Sequence, residues 1–133
     1  MTITDATPET TDDVEVPLGT LLLQSAKSPR RRAATQALVE EETILARDDV
    51  RSILVVEENG APVCDWDRLQ GRLYTLGLDE RQRDFLGLVL GMVGIGSYTL
   101  ATAGDLDERH LAILMRAIPQ LAGNDRLAVG TRL

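Results

Sequence analysis

The rhythm of apolar and polar positions changes several times along this chain, and each change predicts an element. Leucines crowd the segment from Leu18 to Lys27, which Pro17 opens in the manner of a first helical turn and Pro29 closes. From about Arg30 to Arg47, the residues Ala34, Leu38, Glu41 and Leu45 recur at roughly helical spacing and predict a second helix. The run Ser52-Ile53-Leu54-Val55-Val56-Glu57 is rich in β-branched residues and predicts a strand. Asn59-Gly60 follows it, and Ala61 to Trp66 then forms a second such run. That pair tolerates the positive φ angles of a tight hairpin turn, so the two runs predict a β-hairpin, with Pro62 at an edge.

Helical periodicity then returns three times. Asp65 stands before Trp66, Leu69, Leu73 and Leu76, a face that Gly77 closes. Asp79 with Gln82 three residues later spells a capping box, ahead of a segment through about Val93 that is apolar on nearly every side. Such a helix belongs at the centre of the fold. Asp107 opens the last helix, with Leu106 and Leu111 placed as a hydrophobic staple and Leu111, Leu114, Met115, Ile118 and Leu121 as its stripe, until Pro119 kinks or ends it. Residues 78–82 and 106–110 echo one another, as Leu-Asp-Glu-Arg-Gln and Leu-Asp-Glu-Arg-His. Two copies solve one capping problem, and a helical array needs at least three.

The fold class that follows is predominantly α, of the α+β type. It comprises a compact helical domain of four to five helices, one β-hairpin and a short closing strand over Leu127 to Thr131. Residues 1–16 carry Asp5, Glu9, Asp12, Asp13 and Glu15, no basic residue and little to bury. They are expected to form a disordered acidic tail, and residues 17–133 a single globular domain.

Locating the acids changes the meaning of the net charge of −7. Setting aside five of the 21 acids leaves 16 against 14 basic residues, so the remainder is nearly neutral. A generally basic surface for nucleic acid is missing. One cysteine, Cys64, forms no internal disulfide, and the N-terminus has neither the basic nor the apolar region of a secretory signal; both point to the cytoplasm. Thirteen arginines against one lysine suggest a GC-rich, bacterial genome. The twenty uncharged residues from Phe85 to Gly104 are long enough to span a bilayer, but the stretch from Gly94 to Gly104 holds Ser97, Tyr98, Thr99, Thr102 and three glycines. A core helix followed by a turn is expected there, and no membrane association.

Candidate chemistry is sparse. Cys64 and His110 alone cannot build a zinc site, and the calcium-like start Asp105-Leu106-Asp107 has Arg109 where a ligand belongs. The glycines from Gly91 to Gly96 lack the lysine of a phosphate loop and lie at a helix end. No metal or cofactor is expected. The feature that capping does not explain is Arg30-Arg31-Arg32, with Lys27 close by, at the start of a helix whose far end carries Glu40, Glu41 and Glu42. Cations at a helix N-terminus are unfavourable by a few tenths of a kcal/mol each. Arg30, Arg31, Arg32, Glu40 and Glu41 are therefore the candidate partner-binding residues, and the acidic tail a candidate mask for the arginines. The leading expectation is a non-enzymatic interaction or regulatory subunit that binds a protein partner or itself as a homo-oligomer. The runner-up is a DNA-associated, winged-helix-like regulator using Arg30 to Arg32. The third class is a small enzyme using Asp65, Asp67 or His110.

Overall fold

In the computed structural model, residues 16–130 and 132 are described; all but the last residue of the tail expected over residues 1–16, together with Thr131 and Leu133, lie outside them. Six α-helices and one hairpin order the described chain: α1 (Leu18–Ser25), α2 (Pro29–Glu41), α3 (Asp48–Leu54), β1 (Val55–Glu58), β2 (Ala61–Cys64), α4 (Trp66–Arg72), α5 (Glu80–Val93) and α6 (Glu108–Leu121). Short 3-10 turns at Leu73–Thr75 and Leu100–Asp105 extend the loops after α4 and α5. The fold is the expected predominantly helical α+β domain, with one more helix than the sequence pattern predicts.

Capping chemistry sets most of the helix starts. The side chains of Ser28, Asp65, Asp79 and Asp107 accept backbone N–H bonds from Arg31, Arg68, Gln82 and His110, which satisfies donors left over in each first turn. At Asp79 the box is reciprocal, since Gln82 returns a bond to the Asp79 N–H. Asn59 and Gly60 both take positive φ, 53° and 80°, and the hairpin pairs Val55 with Cys64 and Glu58 with Ala61.

Three expected elements differ. The strand expected from Ser52 begins only at Val55, because Asp48 and Asp49 favour the positive end of a helix and Val50 and Leu54, four apart, bury on one face of α3. Helix α2 stops at Glu41, not near Arg47. There Glu42 adopts φ 73° and the Glu41 carboxylate takes the Ile44 N–H at 2.8 Å, which turns the chain. Residues 127–130 form no strand; Leu127 and Val129 stay exposed.

The core is aliphatic around α5, whose residues Phe85 to Leu90 are all buried. Gly87 is required there: a methyl group on it would meet the Tyr98 ring at 2.5 Å. Helix α6 packs chiefly on α2 and only lightly on α5. No helix among the described residues is long and apolar enough to cross a membrane.

Candidate functional site

The side chains expected to carry function separate into three places. Glu41, expected on a partner-facing surface, is only 1 % exposed, and this corrects its assignment. Its carboxylate accepts from Thr43 Oγ1 at 2.5 Å, from the Ile44 N–H at 2.8 Å and faces His110 Nε2 at 2.9 Å. The other ring nitrogen of His110 faces Asp107, 3.0 Å away, and Phe85 packs against the ring with centroids 4.8 Å apart. Burial raises the Glu41 pKa, but the Thr43, His110 and Ile44 hydrogen bonds outweigh it and leave the carboxyl below its ordinary value. Asp107 is lowered as well, first by the His110 backbone N–H and then by the imidazole. Every group in this knot has partners. It fastens the end of α2 to the start of α6, and Arg109 reinforces it by donating to the Glu41 carbonyl at 2.6 Å.

The arginines at the start of α2 are exposed, and they point at the ends of other helices. Arg32 Nη2 donates to the carbonyl of Ala26, the C-cap of α1, at 3.3 Å. It also borders a cleft with Pro119, Gln120 and Gly123 at the end of α6. Arg30 reaches the C-cap of α5, where a methyl group on Gly94 would lie 3.1 Å from Nη1. None of α1, α5 and α6 has a basic residue in its own last turn. The arginines therefore supply positive charge to three negative helix ends. That is the physical account of their place in the sequence. Arg31 is left over: with Lys27 it lines a cleft of about 270 Å³ floored by Leu22 and Trp66. Among the described residues no ion pair engages Lys27, Arg30, Arg31 or Arg32.

The remaining candidates do not converge. Asp65 is the α4 cap and Asp67 an exposed first-turn residue, while His110 is held in the knot. Burial pushes the Cys64 thiol up to about 12, with Thr35 opposing it, so this sulfur stays protonated at neutral pH. No group of three or more metal-ligating side chains assembles among the described residues. No family model, curated protein or solved structure matches the chain.

One surface remains, on a helix whose apolar stripe the sequence shows without showing which part of it stays outside. Leu111, Met115 and Ile118 lie along the outer side of α6, each more than a third exposed. The two arginines of that helix turn away from them: Arg116 pairs with Glu40 at 3.0 Å, and Arg109 bonds α2. Beside the stripe, an apolar groove of about 230 Å³ opens between α5 and α6, lined by Leu88, Gly91, Met92, Leu114, Ile118 and Leu121. Leu100, 73 % exposed, stands on its rim. The 4-3 spacing of Leu111, Met115 and Ile118 is visible in the sequence as part of the stripe that also holds Leu114 and Leu121, but not that the core takes Leu114 and leaves these three outside.

Proposed function

We propose that this chain is a non-enzymatic protein-interaction module that acts in the cytoplasm through the outer face of α6. The observation that carries the reading is the uncharged stripe Leu111, Met115 and Ile118 beside the α5–α6 groove. A contiguous apolar patch of this kind costs solvation unless another protein covers it. Its shape suits an amphipathic helix, which would lay apolar side chains spaced three and four apart into the groove. The reading shifts the contact surface from the Arg30 to Arg32 cluster and Glu41 to α6. Arg30 and Arg32 serve helix ends, Glu40 pairs with Arg116, and Glu41 is inside.

Photo-cross-linking in cells tests this reading. A photoreactive residue at position 115 should give protein adducts, and the same residue at exposed Glu57 on the hairpin should not. Adducts that form only from position 31, and with nucleic acid, would overturn the reading in favour of a DNA-associated regulator.

A further inference from the structure

We propose that the acidic segment from Asp5 to Glu15 docks within its own chain on the cleft that Lys27 and Arg31 border, and so keeps other anions off those two cations. No residue of α6 lines that cleft, so its occupancy is independent of what covers the outer face of α6.

Charge names the occupant, because it falls in three blocks along the chain. The first fifteen residues hold five acids and no basic residue. Residues 16–39 hold Lys27, Arg30, Arg31 and Arg32 and no acid, and the residues after them hold sixteen acids against ten arginines, a net of −6. A segment of charge −5 is therefore repelled by most of the molecule and attracted at one corner, where α1 ends and α2 begins. Arg30 and Arg32 at that corner serve helix ends. Lys27 and Arg31 are exposed and form no ion pair among the described residues. Glu58 is the single acid that lines the cleft, and the cations outnumber it. Helix α2 also has no acid in its first turn, so a carboxylate docked there supplies the charge that its positive end favours.

Reach and tethering select this chain's own segment. The segment ends next to Val16, at the first turn of α1, and the cleft lies at the other end of that helix, where Leu22, Ser25 and Ala26 line it. The eight residues of α1 separate the two places by about 12 Å. Extended backbone covers about 3.3 Å per residue, so the steps from Val16 back to Asp12 span about 13 Å and those back to Glu9 about 23 Å. A segment that doubles back beside α1 thus brings Glu9, Asp12 and Asp13 to Lys27 and Arg31. Tethered so closely, these acids act at a local concentration on the order of millimolar, which an acidic partner dissolved at micromolar concentration does not match.

Paramagnetic NMR of the full chain tests the docking. A nitroxide on Thr10→Cys, in a Cys64→Ala background, should broaden the Val63 amide and the Trp66 indole N–H, both at the cleft. It should broaden them more than the Leu45 and Ala46 amides, which lie with Pro17 at the root of the segment. Salt at about 0.5 M, or Lys27→Glu with Arg31→Glu, should remove the effect at the cleft. Broadening no stronger at Val63 than at Leu45 and Ala46 would overturn the proposal. So would a Val63 effect that vanishes when the labelled chain is diluted among unlabelled copies, because the segment would then dock on a neighbour. A second measurement keeps Cys64 in place and uses a fluorescent hexaglutamate peptide as the probe. With Glu9→Gln, Asp12→Asn and Asp13→Asn, the full chain should bind the peptide about tenfold more tightly than wild type at low salt, and Arg31→Glu should erase the gain. The same change of charge at exposed Glu80, Glu108 and Asp125 should give no such gain. Equal gains from the two sets of acids, or none from either, would overturn the masking.

Discussion

Glu41 and His110 join the end of α2 to the start of α6 through charge-assisted hydrogen bonds inside the protein, where Glu41 is 1 % and His110 6 % exposed. Such bonds contribute more than neutral ones, and removing one partner leaves the other without compensation. Glu41→Gln keeps an acceptor for the Ile44 N–H but loses the charge facing His110. It should cost about 2 kcal/mol at neutral pH, read from denaturant midpoints at unchanged slope. The pH dependence follows in sign. The Glu41 and Asp107 carboxyls titrate lower in the folded chain than in the unfolded one, so the unfolded state takes up protons first as pH falls. Their contribution is complete above the ordinary carboxylate values of about 4 and is lost as pH drops through the folded values. Glu41→Gln and wild type should therefore converge in stability in acid. A difference that persists unchanged at pH 3 would mean that the Glu41 charge plays no part. The sequence concealed this pair, because its members lie sixty-nine positions apart and a glutamate between two others reads as solvated surface.

Caps and turns act at the level of the element, and there local chemistry was legible. Asp65, Asp79, Asp107 and the Asn59-Gly60 turn behave as their residue types require, because each satisfies backbone groups within three or four positions. The β-branched run ahead of the hairpin misled. Burial of Val50 and Leu54 on one face draws residues 52–54 into α3, and this tertiary gain overrides strand preference. The small pair Gly87 and Gly91 in α5 separates into opposite roles. A methyl group at Gly87 would collide with the Tyr98 ring, whereas at Gly91 it would meet nothing within 4 Å. Gly87→Ala should destabilise by about 1–3 kcal/mol through overpacking, and Gly91→Ala should stabilise by about 0.5–1 kcal/mol through helix propensity. Thermal melts of the two variants check both signs.

Over the whole molecule, charge is ordered by the antiparallel packing of α2 and α6. Arginines at the start of α2 sit where α1, α5 and α6 end, Glu40 holds Arg116, and the outer face of α6 is left uncharged. The arginine cluster was visible in the sequence. Its targets were not, because a helix end is a feature of the folded chain and not of any residue type. The apolar face was hidden for a related reason: an amphipathic stripe in sequence does not say which side of a helix the core takes. Methyl NMR tests most directly whether protein covers that face. With the methionine methyl groups labelled, Met115 and Met92 report on the stripe and the groove. In cells, compared with the dilute purified chain, their signals should shift and broaden, and Met115→Glu should abolish the change at Met92 while leaving the fold intact. A Met115 methyl that stays sharp and unshifted throughout would contradict the account.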